Sequence, residues 1–519
     1  MMGMAKMDVY SPITLEKVGD VDTTDIGDIE NVISECRAAQ NIWKEIPKAD
    51  RLALLKKLRL LVISKINDIA RTVYLETGKP RIDAQSTEVM PAAAMAAYCE
   101  DWLKRWEPVK KIDQGSVRSM MRMLRRYSYL EYRPLGVIGI ISPFNFPFSI
   151  PFTEAVMAVT AGNGAIIKPS SSTPLSGHLI ERLFEEAGFP KGLVRAVSGS
   201  GAGPALSKSS VDKIVMTGGG STGRSVVKDA SEKLTPVVLE LGGKDAMIVL
   251  GDADIERAVS CAVWGSFVNS GQVCAGIKRI YIQTDVFDAF SNMFVQRTGT
   301  IKQGDGWDDP EISMGPMIDQ DSIDKMTAII KKAESEGGTV LIGGKRNEAL
   351  KGYFFEPTII GGLDNSSDVV RNEIFGPVVT IHRFSTEDEA IALANDNRFA
   401  LCGSVWTKDL EKGKRIASKL NAGTIDVNNS TYTFGLPATP WGGRYESGFG
   451  ITHGDIGFTE LMHPHHIHVD TEKYPNEMWW MPYNEEKTAV LEIMMRKSFG
   501  DERFTLRDLK RALRILKSK

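Results

Sequence analysis

The chain has 519 residues, 42% of them hydrophobic and 25% charged, the balance of a soluble globular protein of two or three domains. Lysine and arginine (63) nearly match aspartate and glutamate (66), leaving a formal charge of −3 and no global attraction to nucleic acid. The 5 cysteines are scattered without CxxC spacing, which excludes a disulfide framework or a metal knuckle and suits a reducing compartment.

The N-terminus lacks the apolar core of a signal peptide and acquires acids early, so a cytoplasmic protein is expected. Residues 28–106 carry apolar positions at helical spacing, as across Arg51–Ile63, and read as helices. Met120–Arg133 fits no helix and reads as extended; the nine basic residues of Lys104–Arg133, interleaved with Tyr127, Tyr129 and Tyr132, suit a twisted strand better than a nucleic-acid patch. Pro134–Thr153 is uncharged and long enough to span a bilayer, but its four prolines and Asn145 argue for a buried strand and loop.

From residue 135, short apolar runs alternate with helix-length segments: Gly136–Ile141, Ala165–Lys168, Leu193–Val197, Lys213–Met216 and Val237–Leu241. Runs without polar alternation are strands covered on both faces, hence a doubly wound parallel sheet, the usual home of dinucleotides. After Leu241 come further strand candidates, Arg279–Ile282, Val340–Ile342, Phe354–Ile360, Val378–His382, Ser404–Trp406 and Thr424–Val427. Leu461–Asp470 is again extended; its histidines, with His466 and His468 on one face, suit an interface better than a metal, since no cysteine or carboxylate completes a site. In the tail, Met478–Tyr483 is apolar enough to dock on the protein body, and Thr505 with Asp508 forms a capping box before Leu506, Leu509, Leu513 and Leu516 on one helix face. Its basic opposite face raises a membrane surface as an alternative, with packing on protein the default.

Three side chains carry the chemistry. Cys274 follows a polar, glycine-containing turn; alone it reads as an inert core thiol, in company as a nucleophile. Glu240 ends a strand before Gly242 and Gly243, as a solvated acid or a general base. Asn145, among prolines and aromatics, is a turn-former or an oxyanion donor. Lys168 ends a strand as a surface lysine or a ribose or phosphate ligand. Gly218, Gly220 and Gly223 formally satisfy GxGxxG, and Glu240 then falls near the ribose-binding acid of an ordinary hydride-transferring dehydrogenase, about 20 residues on.

Pro143-Phe-Asn-Phe-Pro147, Lys168-Pro-Ser170, Thr217-Gly218, Glu240-Leu-Gly-Gly243, Gly271-Gln-Val-Cys274, Phe355-Glu-Pro-Thr358, Glu373-Ile-Phe-Gly-Pro377, Asn428 and Trp441-Gly-Gly443 occur in one order. Together they resemble the aldehyde dehydrogenase superfamily. That resemblance implies an α/β fold: a doubly wound, parallel-sheet dinucleotide-binding domain from residues 1–115 and 135–241, an α/β catalytic domain at 242–443, and a small β arm of oligomerisation strands at 116–134 and 460–470, with 471–519 as an extension. It implies oxidation of an aldehyde to a carboxylic acid through a cysteine-bound intermediate, with Cys274 as nucleophile, Glu240 as base and Asn145 as oxyanion donor. A nicotinamide dinucleotide is implied at Ser142, Pro143, Phe144, Lys168, Ser170, Ser171, Gly201, Thr217, Gly218, Gly219, Gly223, Leu241, Glu373 and Phe375, and a homo-oligomer, dimer or tetramer, is expected.

Two departures are informative. Many NAD-preferring relatives have a glutamate three residues after the lysine; Ser171 stands there, so NADP is expected to be preferred over NAD. Val273, Ala275 and Gly276 flank the nucleophile without a second cysteine or an arginine, and Ile150, Phe434 and Trp441 are the expected pocket, which suits a small, neutral or apolar aldehyde. A non-catalytic relative would not need all three polar groups. A cofactor-free thiol hydrolase would need a histidine that none of these motifs contains.

Overall fold

A computed structural model describes residues 5–472 and 474–518. The chain divides into two units, Met1–Arg105 with Pro134–Leu461 and Trp106–Arg133 with Met462–Lys519; expectations for residues 1–4, 473 and 519 lie outside the described residues. In the first unit, helices Ile29–Trp43, Lys48–Ser64, Ile66–Thr77 and Met90–Arg105 fill the segment read as helical. A single π turn, Gln85–Val89, leads into the last of them.

The first sheet contains β1 (Val137–Ile141), β2 (Gly164–Lys168), β3 (Val194–Ala196), β4 (Lys213–Thr217) and β5 (Val237–Glu240). They lie parallel in the order β3-β2-β1-β4-β5. Their apolar runs follow from burial on both faces: Ile33 and Cys36 of the first helix pack with Val137, Ile166, Ile214 and Leu239, and helix Ser149–Thr160 is buried along its whole length. The chain steps from β1 out to β2 and β3, then returns past β1 to β4. That reversal opens a crevice at the carboxyl ends of β1 and β4, where open α/β sheets bind ligands.

The second sheet is built from β6 (Asp245–Val249), β7 (Ile277–Gln283), β8 (Thr339–Ile342), β9 (Thr358–Gly361), β10 (Val378–Phe384), β11 (Cys402–Trp406) and β12 (Thr424–Val427). Their order is β8-β9-β10-β7-β6-β11-β12, parallel except for β8. Strand β6 was not foreseen: it follows β5 after too short a connection for a helix, so the alternation that marks the other strands is missing. The strand expected at Phe354–Ile360 begins only after Pro357, which has no N–H for a ladder. Beyond residue 443 the chain returns to the first sheet, where β13 (Gly448–Phe449) pairs antiparallel with β5.

The second unit holds a three-stranded sheet with Arg126–Pro134 between Val109–Lys111 and Met462–Asp470. Two expectations are corrected here. The extended segment begins at Arg126, because Arg118–Leu124, rich in unbranched helix formers, is an α-helix; and Val109–Lys111, expected with the nucleotide-binding region, pairs with Tyr129–Glu131 instead. Helices Glu485–Phe499 and Leu506–Lys517 follow, the latter with the expected Thr505–Asp508 capping box. Val490, Met494, Ala512, Ile515 and Leu516 form a small core with Leu124 and Met478. Leu506, expected on the buried face, is 79% exposed at the first turn, and of the apolar Met478–Tyr483 stretch Met478 is buried while Trp479, Trp480, Met481 and Tyr483 stand exposed. Apolar composition does not by itself oblige burial.

Candidate active site

The carboxyl end of β5 is where the two sheets of the first unit meet. Glu240 ends that strand, and the next two glycines are required by close approach. A Cβ on Gly242 would lie 2.1 Å from the Glu373 carboxylate, and one on Gly243 would lie 2.3 Å from the Cys274 carbonyl oxygen. The pair of glycines therefore lets the Cys274 loop and the Glu373 loop close onto the end of the strand that carries Glu240.

Cys274 is presented by a strained loop. Asn269, Ser270 and Gly271 follow helix Ile255–Phe267 with φ of 51°, 57° and 68°, a left-handed run that persists only if its surroundings hold it. Asn269 Nδ2 donates to the carbonyls of Asn145 (2.9 Å) and Gln272 (3.3 Å), Ser270 Oγ to Gly315 O (2.7 Å), and Lys278 Nζ to Gly271 O and Gly376 O (both 2.7 Å). Asn145, only 3% exposed, donates through Nδ2 to Gln272 O at 2.9 Å. Its second amide hydrogen is left over, and the Cys274 backbone N–H meets no acceptor among the described residues.

Cys274, Glu240 and Thr217 line one cavity of about 280 Å³ together with Ile150, Phe434 and Trp441, the three residues expected there. Both Glu240 oxygens lack a hydrogen-bond partner. The Trp441 indole lies close enough to favour the charged carboxylate, but outside hydrogen-bonding geometry. Burial first, then the nearby Glu154, pushes the Glu240 carboxyl well above its usual range. Burial, with Glu240 and Asp245 nearby, pushes the Cys274 thiol up to about 12. The free protein therefore holds a neutral thiol beside a carboxyl group with high proton affinity.

Sequence reasoning missed the buried charges around the site: Asp245 and Lys244, neighbours of Cys274 and Glu373 respectively, and also Glu154 and Lys278. Glu154 lines the same cavity, pushed up to about 8 by burial against the opposing Lys213; its signal was a lone carboxylate inside an otherwise uncharged helix. Lys278, pushed down to about 7 by burial, ties the nucleophile loop to the loop carrying Phe375. In the sequence it looks like any charged residue in a strand.

The crevice collects most of the expected dinucleotide ligands. Lys168, at the end of β2, lies beside Ile141 in register, and Ser142 donates its N–H to Lys168 O at 3.1 Å. Thr217 pairs with Glu240 at the ends of β4 and β5. Gly218 and Gly219 lead into helix Gly220–Ser231, whose first turn has neither an acidic side chain nor a side-chain cap, and Gly223 abuts Leu241. Phe144, after Pro143, meets Phe375 edge-on at 5.7 Å. Ser170 and Ser171 follow Lys168, Ser171 exposed. Gly201 stands one strand further out, capping helix Ala202–Ser207 and facing Ile26.

These residues fit a dinucleotide. The open helix start suits a pyrophosphate, no described carboxylate pairs with the half-buried Lys168, and burial raises Glu373 against the pull of Lys278 and Lys244. The glycine-rich turn follows β4, the fourth strand of the sheet. Glu240 opens on the thiol's cavity, which removes the reading of it as a ribose ligand in an ordinary dehydrogenase.

Residues 2–467 match the aldehyde dehydrogenase family. The chain is 33% identical to a 4,4'-diapolycopene aldehyde oxidase of Methylomonas sp. over 93% of its own length and 89% of that protein's. Among solved structures it is similar to PnpE from Pseudomonas sp. WBC-3 (TM-score 0.85, 33% identity, 92% and 96% of the two chains). It is also similar to betaine aldehyde dehydrogenase from Staphylococcus aureus in complex with NAD+ (TM-score 0.85, 33% identity, 92% and 94%). Fold, ordered motifs and this similarity over nearly the whole length agree: the chain belongs to the aldehyde dehydrogenase family and is an NAD(P)-dependent enzyme that oxidises an aldehyde to a carboxylic acid through a cysteine-bound intermediate.

Proposed function

We propose that Cys274 is the nucleophile, that Asn145 and the Cys274 backbone N–H hold the oxyanion, and that Glu240 is the base that releases the product acid. The observation that carries this reading is the convergence of a thiol and an unpartnered carboxylate on one cavity; Asn145, which does not itself line that cavity, is tied through Nδ2 to the carbonyl of Gln272, two residues before Cys274. With its pKa raised to about 12, the Cys274 thiol is protonated at rest and passes its proton to water in the cavity before it attacks, since only the thiolate is a good nucleophile. Sulfur then bonds to the carbonyl carbon while the carbonyl electron pair moves to oxygen. Each donor aimed at that oxygen lowers the barrier by about 3–4 kcal/mol. A bound nicotinamide supplies the hydride acceptor, and the acyl group remains on sulfur as a thioester. Glu240 removes a proton from water, the water oxygen bonds to the acyl carbon, and the carbon–sulfur bond breaks. A carboxylate base in this position favours hydrolysis over transfer of the acyl group to coenzyme A.

NADP is the preferred dinucleotide in this reading. Ser171 brings no carboxylate to oppose a 2′-phosphate, and Lys168 has no described carboxylate partner. The aldehyde is neutral or apolar, because Ile150, Val268, Phe434, Leu436 and Trp441 line the cavity. A homo-oligomer is supported by the Met462–Asp470 strand at a sheet edge, a template for pairing with a second chain. With all 5 cysteines unpaired, and no described helix long and apolar enough to cross a membrane, a cytoplasmic setting fits. The test is an aldehyde panel with NADP and with NAD, following reduced nicotinamide in wild type and Cys274→Ala. Reduction by wild type alone is expected; equal reduction by Cys274→Ala would overturn the assignment.

A further inference from the structure

A second hollow adjoins the active-site cavity. This groove of about 780 Å³ is walled by the end of helix Lys48–Ser64, the start of helix Ile66–Thr77 and the segment running through the π turn. Ser86 and Met90 line both spaces, and Met90 is 63% exposed, so the two hollows are neighbours across these residues. Helical single-turn π segments recur at functional sites, and this one carries Ser86 and is followed at once by Met90, the two shared residues.

The groove's surface is apolar in what it offers a ligand. Ile63, Ile66, Ile82 and Met90 line it and are 43%, 36%, 70% and 63% exposed. Its larger polar groups are engaged with one another: Arg81 Nη2 and Gln85 Nε2 both donate to Asn67 Oδ1, at 3.0 and 3.1 Å, and Ser64 Oγ donates to Leu61 O at 2.8 Å. Contiguous exposed apolar side chains next to a binding site mark a surface meant to be covered.

We propose that the enzyme takes long-chain aliphatic aldehydes, whose hydrocarbon tail leaves the cavity over Met90 and lies in the groove against Ile66 and Ile82. The proposal rests on the reading of Cys274 as the nucleophile at the cavity floor. The shared residues are what identify the occupant: a tail anchored at its aldehyde end and leaving the cavity past the exposed Met90 is delivered to the groove.

Burying a methylene fully gains about fourfold in affinity, and a tail covered on one side gains about twofold. The experiment measures kcat/KM of the full-length enzyme with NADP for hexanal, octanal, decanal and dodecanal. Wild type, Ile82→Glu and Ile82→Leu are compared, and the oligomer mass of each is recorded by light scattering. Wild type is expected to gain about sixteenfold from octanal to dodecanal, four methylenes at about twofold each. Ile82→Glu is expected to lose at least fivefold on dodecanal while hexanal, too short to leave the cavity, stays within twofold; Ile82→Leu keeps the gain. A flat chain-length profile, or equal losses on hexanal and dodecanal, would overturn the proposal. So would a changed oligomer mass in Ile82→Glu, which would make the groove a contact between copies of the chain. Failure of wild type to oxidise even hexanal would instead bring down the parent reading together with this one.

Discussion

Replacing Asn145 with alanine separates the oxyanion donor from the scaffold that positions it. The side-chain amide has two hydrogens, one of which is bound to Gln272 O at 2.9 Å. The other is the donor assigned to the reacting oxygen. Losing one preorganised donor costs about 3–4 kcal/mol of barrier, or a factor of about 10²–10³ in rate. The structural loss is smaller, about 1 kcal/mol for a neutral buried hydrogen bond. Gln272 O also keeps its bond from Asn269 Nδ2 at 3.3 Å, and the Asn145 backbone carbonyl still accepts from Asn269 at 2.9 Å. The variant is therefore expected to fold, with a modest drop in Tm, and to form reduced nicotinamide at least a hundredfold more slowly in a single turnover with saturating cofactor. Asn145→Asp, similar in shape but without the donor, is expected to be no faster. A burst within tenfold of wild type in correctly folded Asn145→Ala would refute the reasoning and move the oxyanion site elsewhere.

Three further substitutions probe neighbouring parts of the site. Glu154→Gln removes the negative neighbour that raises Glu240; since a raised carboxyl is ionised only at higher pH, the rising limb of thioester hydrolysis is expected to move to lower pH, and an unmoved limb contradicts the coupling. Gly271→Ala places a Cβ 2.3 Å from Gly376 O at a φ of +68°, and about 2 kcal/mol or more of stability is expected to go; an unchanged denaturant midpoint would show that the loop yields without strain. Ser171→Glu sets a carboxylate where a 2′-phosphate is expected. Because like charges near a surface repel by about 1–4 kcal/mol, kcat/KM with NADP is expected to fall at least about tenfold relative to NAD, and an unchanged ratio would remove Ser171 from cofactor choice.

Much of this architecture is legible in the amino-acid sequence. The first sheet reads directly from its apolar runs because parallel strands covered on both faces have no polar alternation. The motif residues Cys274, Glu240, Asn145 and Lys168 likewise stand out, since each interrupts an apolar or glycine-rich context. What escapes the sequence depends on tertiary approach. Strand β6 follows β5 without an intervening helix, and β13 is two residues long. Arg118–Leu124 carries no apolar period long enough to outweigh the extended segment after it, so its helix passes unseen. Glu154 and Lys278 are ordinary charges in the sequence; their importance arises from burial against Glu240 and against the carbonyls of Gly271 and Gly376. The same limit applies to the GxGxxG pattern at Gly218–Gly223, whose meaning depends on which strand precedes it and where Glu240 faces.

The division of labour between thiol and carboxylate is tested most directly by intact-protein and peptide mass spectrometry of Glu240→Gln after mixing with NADP and an aldehyde. With the thiol present and the water-activating base removed, one acyl group per chain is expected to accumulate on Cys274, accompanied by a single burst of reduced nicotinamide. Sustained turnover, or a burst that leaves Cys274 unmodified, would contradict it.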